Sequence, residues 1–570
     1  MTDNERGLLD WLDGPASDRG IHASQPDGDW EFISYAELAV TVGYVAHALE
    51  QQLPAGATVL LASGTATTFV ASFFGCLAAG CTPAPFATPL TFTGTHEYEA
   101  HVSHLWAASG AQAALVDPEL IGTVRDAWRG SGQAPLVYDA AQLAAAGGSP
   151  DGLRRLDGVG LLQFTSGSTG RPKGVRVPSA AIEANVAAIT RWGRWHERDA
   201  VVSWLPLYHD MGLVGALLTP VVVQHDIWSM SPFEFVRQPA RWLACLGEGR
   251  ATVTAAPTFG YAYAAARVPP DAWSGWDFTS WRIAIVGAER IGATALRRFA
   301  EVAQPAGFSP KTFAPAYGLA ESTLAVTLLP CEREPRALRL AEGGAQIGEA
   351  VEIVERAAAV DAEPDRDWLV GCGQPLDGVV LGVVDTDGNP VADGVLGELR
   401  VSGTSLADGY QAKPGELERF DRAGHATGDA GFWVDGELYV VGRLGDSLSV
   451  KGRNVFAEDL EAALGARVGV APGRCAVALG ASPVEDCCVV LLESSAGVEP
   501  AAVLTLLRSA IGAGVRIVVI TDERGAIPRT SSGKPRRHAI FQAFSTGELP
   551  GERVLDERDS GRDRINTGAV

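Results

Sequence analysis

LLQFTSGSTGRPKG, residues 161–174, is the segment from which the rest of this sequence can be interpreted. An apolar run ends at Phe164, hydroxyl and glycine residues follow, and Lys173 then precedes an alternating Val-Arg-Val segment. This order predicts a strand, a loop and a second strand. Glycine frees backbone N–H groups, and these groups, hydroxyls and one lysine together suit the oxygens of a polyphosphate. We therefore predict a nucleotide-binding loop, the alternative being an ordinary polar hairpin turn.

The predicted loop differs from the Walker A motif, in which a lysine followed by Ser or Thr lies between a strand and a helix. Here the lysine follows Arg-Pro and a second strand is predicted after it. The loop instead resembles the signature of the adenylate-forming superfamily, which includes acyl-CoA synthetases, luciferases, peptide-synthetase adenylation domains and fatty acyl-AMP ligases. The resemblance implies that ATP contacts seven residues: Thr165, Ser166, Gly167, Ser168, Thr169, Gly170 and Lys173.

The composition is that of a soluble globular protein with several domains. Of the 570 residues, 46% are hydrophobic and 20% are charged, and no apolar run is long enough to cross a bilayer. The N-terminal segment lacks a signal-peptide pattern, so we expect a cytoplasmic protein. A net charge of -22 argues against a nucleic-acid partner. The eight cysteines form no C-x-x-C pair and predict neither a zinc site nor disulfides.

The first 155 residues alternate between predicted helices and short strands, which favours α/β layers. We predict a helix over 35–53 with Ser34 as its N-cap, a strand over 58–62 and a buried helix over 67–79. A helix over 179–195 and a strand over 201–205 follow the nucleotide-binding loop.

LPLYHDMGLVG, residues 205–215, places His209 and Asp210 at the C-terminal end of a predicted strand, where α/β sheets bind ligands. A lone histidine is more often structural. The run nevertheless resembles the form that this motif takes in fatty acyl-AMP ligases, and the resemblance implies that His209 is catalytic and lines the carboxylate end of an acyl pocket.

Two aromatic segments, residues 230–243 and 250–263, would be assigned to the core from their composition alone. The resemblance implies instead that Met230, Phe235 and Phe259 line an acyl tunnel. Such ligases usually carry Asn at the position of Thr258, so this pocket is expected to be atypical.

IAIVGAE (283–289) and YGLAEST (317–323) resemble two further motifs of the superfamily. The first implies that Gly287, Ala288 and Glu289 form the turn that contacts adenine. The second provides Tyr317, whose ring can stack on adenine, next to Gly318, and Glu321, whose carboxylate can bind Mg²⁺. The resemblance assigns the metal to Glu321 and Thr165.

Three features characterise residues 331–443. Residues 331–368 are acidic and rich in alanine, without strand-like alternation, and are similar to an extra segment of fatty acyl-AMP ligases; a variable surface insertion is the alternative. Residues 379–410 alternate between strands and turns, which predicts antiparallel strands and, by resemblance, a small β-barrel. Asp429 and Arg443 would, by resemblance, hydrogen-bond the ribose hydroxyls.

The C-terminal part carries a second loop of interest, PRTSSGKPRR (528–537). Its Lys534 matches the mobile catalytic lysine of the superfamily, with a solvated basic loop as the alternative. Residues 442–446 correspond to the family's hinge. This chain has Gly445 where relatives usually have Asp or Lys, and glycine is expected to make the hinge looser.

We therefore predict an α/β protein. Its large N-terminal adenylation domain (1–441) contains two α/β subdomains, a small β-barrel and the insertion. A hinge, a small mobile α+β lid domain (447–545) and a disordered tail (546–570) follow.

The resemblance predicts an enzyme that uses ATP and Mg²⁺. It would join a hydrophobic carboxylic acid, of fatty or polyketide- or terpenoid-like character, to AMP and release pyrophosphate. Lys534 would bridge the carboxylate and the α-phosphate. The acyl group would then pass to the phosphopantetheine thiol of a carrier protein, or alternatively to coenzyme A. Adenylation of an amino acid is disfavoured because no F-D-x-S stretch occurs, and a non-catalytic acyl or nucleotide binder is the remaining alternative.

Overall fold

The structure is a computed structural model of the chain. It describes most of the sequence, namely residues 6–89, 94–130, 134–147, 158–165, 172–341, 345–363, 368–421, 423–450, 453–470, 473–481, 485–493, 498–530 and 533–557. Five residues of the predicted nucleotide-binding loop lie outside this part of the chain: Ser166, Gly167, Ser168, Thr169 and Gly170.

The described helices alternate with strands through most of the chain. The α-helices are α1 Tyr35–Glu50, α2 Ala66–Ala78, α3 Thr95–Ser109, α4 Ile121–Asp126, α5 Ala140–Ala145, α6 Ser179–Gly193, α7 Thr219–Val223, α8 Pro232–Arg237, α9 Pro239–Gly247, α10 Thr258–Arg267, α11 Pro270–Trp273, α12 Ala293–Ala303, α13 Ala457–Ala463, α14 Pro500–Ile511 and α15 Arg537–Thr546. A π-helix, Met211–Leu218, continues directly into α7.

The described strands are β1 Gly20–Ser24, β2 Trp30–Ser34, β3 Thr58–Ala62, β4 Thr82–Pro85, β5 Ala113–Val116, β6 Leu136–Asp139, β7 Val159–Thr165, β8 Lys173–Pro178, β9 Ala200–Ser203, β10 Asp226–Ser229, β11 Val253–Ala256, β12 Ile283–Val286, β13 Phe313–Gly318, β14 Ala325–Leu328, β15 Arg336–Leu340, β16 Ile353–Ala358, β17 Leu369–Val370, β18 Gln374–Pro375, β19 Val379–Val384, β20 Gly397–Gly403, β21 Gly409–Lys413, β22 Glu416–Arg419, β23 His425–Val434, β24 Glu437–Arg443, β25 Ser447–Val450, β26 Arg453–Phe456, β27 Cys475–Ala481, β28 Asp486–Glu493, β29 Val515–Asp522 and β30 Glu552–Asp556.

Three sheets of the N-terminal region position the site. The largest has the order β18-β14-β13-β12-β11-β9-β10-β1-β2, and its six central strands, from β13 to β1, run parallel. A second sheet, β4-β3-β5-β6, is parallel throughout. The third, β22-β21-β8-β7, is antiparallel. The carboxyl ends of β9, β12 and β13 therefore meet at one edge, which is where α/β sheets bind ligands.

Local signals specified several of these elements correctly. The Ser34 hydroxyl accepts the Glu37 N–H and the Glu37 carboxylate accepts the Ser34 N–H, a reciprocal capping box that begins α1. The strand over 58–62 is confirmed with both of its ends. The strand–loop–strand prediction is confirmed by the antiparallel pairing of β7 with β8, in which Thr165 faces Lys173.

Helix α2 and the cysteines belong to the interior. The helix has apolar residues on every face and is buried from Phe69 to Ala78, as expected of a helix enclosed on all sides. All eight cysteines are free thiols, and Cys331 alone among them is partly exposed.

In the described part of the chain, no helix combines the length and the apolar character that a membrane span requires.

Two expectations for the β-rich segment need correction. The strands β19-β20-β23-β24 form an open sheet whose edge strands do not pair with each other in the described residues, so the sheet is not a closed barrel. The insertion at 331–368 does contain strands: β15 and β16 form a hairpin that pairs with β17. Leu338 and Ile353 of this hairpin pack against Phe432 and Tyr439 of the open sheet, so the hairpin covers apolar surface that a barrel would enclose.

The C-terminal region contains a hairpin, β25-β26, and a mixed sheet, β27-β28-β29-β30. The turn Leu444–Asp446 lies between β24 and β25, at the predicted hinge. The prediction of a disordered tail from residue 546 is wrong over Glu552–Asp556, because β30 pairs with β29 and the Asp556 carboxylate accepts hydrogen bonds from the Arg516 guanidinium. Residues 558–570 lie outside the described part of the chain.

Candidate active site

A cavity of about 1310 Å³ lies between the N-terminal region and the loop that carries Lys534. Its walls bring together residues that are far apart in the sequence, from Pro85 to Ala539. The predicted site residues that line it are Thr165, Lys173, His209, Gly287, Ala288, Glu289, Tyr317, Gly318, Glu321, Asp429, Arg443 and Lys534. The roles of these residues remain predictions.

The Asp429 carboxylate is held by two donors at one side of the cavity. Tyr317, at the end of β13, donates its hydroxyl to Oδ2 at 2.7 Å, and Arg443 Nε donates to Oδ1 at 3.1 Å. The second contact follows from strand pairing, because Asp429 on β23 lies directly opposite Arg443 on β24. Burial, followed by the nearby Asp429 charge, raises the pKa of Tyr317 well above its ordinary value. A carboxylate held in this way is a suitable acceptor for neighbouring hydroxyl groups.

Glu321, Tyr410 and Lys173 form a second polar group at the cavity. Glu321 is only 9% exposed, and its Oε1 accepts a hydrogen bond from the Tyr410 hydroxyl. The Lys173 ammonium lies 4.7 Å from the centre of the Tyr410 ring, within the range of a cation–π contact. Tyr410 thus connects the cation of the nucleotide-binding loop to the buried carboxylate. Sequence reasoning missed Tyr410, because β21 carries no recognisable motif.

Unusual backbone geometry presents Glu321 to the cavity. Thr323, two residues later, has φ of +67°, which L-residues rarely adopt, and its hydroxyl donates to the Ser405 carbonyl at 2.7 Å. Gly318, the last residue of β13, allows the segment that leads into β14 to approach closely, since a Cβ at this position would lie 2.0 Å from the Leu324 carbonyl oxygen. The YGLAEST motif therefore requires a particular backbone geometry at Gly318 and Thr323, in addition to the side chains that line the cavity.

His209 and Asp210 form a pair where the π-helix begins. Nδ1 of His209 lies 2.7 Å from Asp210 Oδ1, and the same oxygen accepts the Met211 N–H at 2.8 Å. Burial opposes ionisation of Asp210, but the charge of His209, the hydrogen bonds from His209 and Met211, and Lys534 together lower its pKa. An ionised Asp210 accepts the proton on His209 Nδ1 and leaves Nε2 for other contacts.

The GAE turn after β12 supplies a second buried carboxylate. Ala288 has φ of +65°, and Glu289 Oε1 accepts the Phe259 N–H at 2.8 Å. Burial raises the pKa of Glu289, while the Phe259 hydrogen bond and Lys534 act in the opposite direction. A non-glycine residue in this backbone region is a strained feature of the kind that concentrates at functional sites.

Lys534 extends from a closed loop of the C-terminal region. The Thr530 N–H donates to the Lys534 carbonyl at 2.8 Å, and the Lys534 N–H donates to the Thr530 hydroxyl at 3.1 Å. The ammonium is close enough to Asp210 and Glu289 to favour the ionised form of both carboxyl groups, although burial keeps the pKa of Glu289 above its ordinary value. The loop therefore places one cation between two acidic side chains that come from different strand ends of the large sheet.

Ion pairs hold this loop in position. Arg537 contacts Asp446 in the hinge turn at 3.1 Å, Glu461 at 2.8 Å and Glu458 at 3.6 Å. Burial acts against its charge, but these carboxylates raise the pKa of Arg537 further. The start of α15 is thereby connected to the hinge turn and to α13.

The three residues predicted to line an acyl tunnel are not among the residues of the cavity wall. Met230 and Phe235 are buried in the core, where the Phe235 ring stacks on Trp204 at 3.9 Å. Phe259 is 46% exposed, and its ring contacts that of Tyr263. Met230 and Phe235 are therefore core residues, which is the interpretation that the composition of their segment favours when it is taken alone. Thr258 is buried at the start of α10.

A different set of apolar residues lines part of the cavity. We call this part the apolar chamber. Its side chains come from α6, β9, the π-helix, β11 and β12 and from one residue after α6, namely Ile189, Val201, Ala216, Val253, Ile285 and Trp195. Sequence reasoning missed these residues, because a strand that faces a cavity has the same apolar pattern as one that faces the core.

Comparison with known proteins adds independent information. A family model described as "AMP-binding enzyme" matches residues 15–411. A putative acyl-CoA synthetase of Caulobacter vibrioides is 36% identical over 508 residues, which is 86% of each chain. The medium-chain-fatty-acid–[acyl-carrier-protein] ligase TtuA of Teredinibacter turnerae is 37% identical over 326 residues, 54% of this chain and 50% of TtuA. A structure from work on fatty acyl-adenylate ligases of E. coli and L. pneumophila superposes with a TM-score of 0.83, at 29% identity, over 95% of this chain and 98% of that one.

Proposed function

This chain belongs to the family of AMP-binding enzymes, and from that membership we propose that it is an ATP-dependent ligase that converts a fatty acid or a similar hydrophobic acid into its acyl-AMP. One observation carries the proposal: a single cavity is lined by the nucleotide motifs, by Lys534 and by the apolar chamber. The likeness to fatty acyl-adenylate ligases supports the same acid class.

The nucleotide lies along the polar walls of the cavity. Adenine occupies the space between the GAE turn and the Tyr317 ring, which can stack on it. The ribose hydroxyls donate to the Asp429 carboxylate, which Tyr317 and Arg443 hold in place. The triphosphate extends towards Thr165 and Lys173, which pair across the β7–β8 hairpin.

The acid enters with its chain in the apolar chamber and its carboxylate at the polar end. Burying each methylene of the chain contributes about 0.8 kcal/mol, so a chamber of apolar side chains favours alkyl chains over polar acids. His209 and Lys534 are two cavity residues that can receive the carboxylate, His209 through Nε2 because Nδ1 is engaged by Asp210.

Magnesium fits this cavity at Glu321. The second oxygen of the carboxylate has no hydrogen-bond partner among the described residues, since Tyr410 occupies Oε1. No cluster of three or more His, Cys, Asp or Glu ligands occurs in the described part of the chain, which agrees with the preference of Mg²⁺ for one or two protein carboxylates, with phosphate and water completing its shell. Bound there with Thr165 nearby, the ion would neutralise phosphate charge.

The reaction joins two anions, and the protein's part is to make that approach possible. A carboxylate oxygen attacks the α-phosphorus, a new P–O bond forms, and the bond to the β-phosphate bridging oxygen breaks with its electron pair on pyrophosphate. Lys534 contacts both reacting groups and offsets their repulsion, while Lys173 faces the departing phosphates. Positioning and charge stabilisation provide the catalysis.

We assign the second step to transfer of the acyl group to the phosphopantetheine thiol of a carrier protein, with rotation of residues 447–545 about a hinge at 442–446. The similarity to TtuA, which is named as a carrier-protein ligase, supports a carrier. The similarity to an acyl-CoA synthetase favours coenzyme A as the second candidate acceptor.

Two measurements test this function. Acid-dependent exchange of labelled pyrophosphate into ATP, screened over carboxylic acids of increasing chain length, is expected to occur with alkyl acids and not with amino acids. Absence of exchange with every acid would contradict adenylation. Transfer of the acyl group to a holo acyl carrier protein, compared with transfer to coenzyme A, identifies the acceptor.

A further inference from the structure

The apolar chamber follows the strands of the large sheet from their carboxyl ends towards their amino ends. His209 and the GAE turn come after the carboxyl ends of β9 and β12, whereas Val201 and Val253 lie near the amino ends of β9 and β11, where they pair with each other. All of these residues line the same cavity. The four residues of β11 span about 10 Å, since a parallel strand rises about 3.3 Å per residue. The chamber is therefore about as deep as this strand is long.

Trp195 lies at the amino ends of these strands. Its side chain lines the cavity and packs against the apolar cluster that contains Val201 and Val253. Two contacts hold the residue in place: its backbone N–H donates to the Thr190 carbonyl at 3.2 Å, and its ring meets the His225 ring edge-on, with 5.4 Å between the ring centres. Trp195 is partly exposed. The indole therefore lies at the opposite end of the strands from the polar residues of the cavity.

The backbone at the end of α6 is shaped to hold this ring. Arg194, the residue before Trp195, has φ of +46°, a left-handed conformation that turns the chain where the helix ends. A Cβ at Gly193 would lie 2.5 Å from two atoms of the indole and 3.3 Å from the Ile283 side chain. Glycine at position 193 therefore leaves room for an indole against the first residue of β12. The position of the ring is fixed by the backbone as well as by side-chain packing.

A polar network lies beside Trp195. The Arg282 guanidinium donates to the Gly193 carbonyl at 3.2 Å and pairs with Asp199 at 2.6 Å. Asp199 is fully buried and also accepts the Thr252 hydroxyl at 2.7 Å. An alkyl chain that extended into this network would displace its hydrogen bonds, and leaving such groups unpaired costs more than the burial of a methylene contributes. The network is therefore not a continuation of the apolar chamber.

We propose that Trp195 closes the apolar chamber and sets the longest acid that the enzyme accepts. This inference rests on the proposed function. With its carboxylate at His209 and Lys534, the acid extends towards Trp195, and its terminal methyl group meets the indole. An extended alkyl chain advances about 1.3 Å per carbon, because its C–C bonds of about 1.5 Å form a zigzag. A depth of about 10 Å thus accommodates about eight carbons beyond the carboxylate. The substrate class is therefore medium-chain acids and not long-chain ones.

The test is ATP–pyrophosphate exchange, measured as kcat/KM for saturated unbranched acids of increasing length. For the unmodified protein we expect this value to fall steeply beyond about ten carbons. Trp195→Ala is expected to move the fall to longer acids, with a gain of about fourfold for each further methylene that the enlarged chamber buries, and to leave the KM for ATP unchanged. Trp195→Phe should give a smaller shift. Trp192→Ala is the matched control, because Trp192 lies on α6 and packs against the same cluster but is not part of the cavity wall.

A variant of the opposite kind keeps the test valid if Trp195→Ala does not fold. Ala216, on the π-helix, is buried and lines the chamber, so Ala216→Leu is expected to shorten the longest accepted acid. An unchanged chain-length profile in either folded variant that still performs exchange would overturn this inference alone, as would efficient exchange by the unmodified protein with long-chain acids. Absence of exchange by the unmodified protein with every acid would overturn the proposed function together with it.

Discussion

Arg290 and Asp459 form an ion pair between the residue after the GAE turn, which lines the cavity, and the first helix of the C-terminal region. The Arg290 side chain is 16% exposed, so this pair is partly shielded from solvent. It holds the C-terminal region in the arrangement in which Lys534 faces the cavity. Under the proposed function, the pair stabilises the conformation in which acyl-AMP would form.

Asp459→Asn is expected to lower the rate of acyl-AMP formation by about two- to fivefold, the range for an ion pair of this exposure. Thiol transfer from preformed acyl-AMP is expected to be equal or faster, because the C-terminal region leaves its first position more easily. Single-turnover measurements of the two steps separate these effects. Glu301→Gln, which removes an exposed pair with Arg297, should leave both steps unchanged, and equal slowing of both steps by Asp459→Asn would contradict the prediction.

Lys534→Ala is expected to reduce acid-dependent ATP–pyrophosphate exchange at least about a hundredfold, since it removes a preorganised charge from the reacting groups. Its unfolding transition should match that of the unmodified protein, because Lys534 is exposed. Lys311→Ala is a suitable control, since Lys311 is also exposed and lies outside the cavity wall. Near-normal exchange in the Lys534 variant would refute the role of this residue.

Glu321→Gln is expected to lower exchange by at least about tenfold and to raise the Mg²⁺ concentration needed for half-maximal rate. The amide can still accept the Tyr410 hydroxyl, so the fold is preserved while the charge is lost. Titrating Mg²⁺ at fixed ATP distinguishes a metal role from a structural one. Glu334→Gln is the control, because Glu334 is exposed. If the Glu321 variant needs no more Mg²⁺ than the unmodified protein, Glu321 does not bind the metal.

Glu289→Gln is expected to stabilise the protein at neutral pH. Burial raises the pKa of Glu289 above its ordinary value of 4.5, so its contribution to stability is fully present below that value and is lost as pH rises through the folded-state pKa. The variant should therefore match the unmodified protein near pH 4.5 and exceed it increasingly at higher pH. Urea unfolding between pH 5 and 8 measures the difference. If the difference in the free energy of unfolding between the variant and the unmodified protein shrinks as pH rises, the prediction is contradicted.

Gly445→Ala is expected to change stability by less than about 0.5 kcal/mol. A Cβ at this position has no heavy atom within 4 Å, and Gly445 does not have the left-handed φ that excludes side chains. Alanine restricts the backbone of the hinge, so thiol transfer should slow by about two- to fivefold while acyl-AMP formation is kept. Thermal unfolding and the two half-reactions check this; an unaltered transfer rate would show that glycine does not loosen the hinge.

Much of the polar site could be predicted from motifs, because each motif encodes a local geometry. In YGLAEST, the small residues and the turn are required to place Glu321 at the end of a strand. The apolar residues of the cavity could not be predicted in this way. Met230 and Phe235 were assigned to an acyl tunnel and lie in the core, whereas Val201 and Val253 belong to ordinary buried strands and line the cavity. Apolar periodicity predicts that a residue is buried, but it does not distinguish a residue that packs in the core from one that lines a cavity.

The sequence by itself determined the α/β alternation, the capped start of α1, the strand–loop–strand at residues 159–178 and the family of the chain, because these depend on neighbouring residues. Only the tertiary structure decided that β9 lies between β10 and β11, that β30 completes the C-terminal sheet, and that α3 brings His104 beside Pro172. These arrangements depend on contacts between segments that are distant in the sequence. Backbone hydrogen bonds and apolar packing stabilise such contacts, but any strand can provide them. Which strands pair is therefore decided by the fold as a whole.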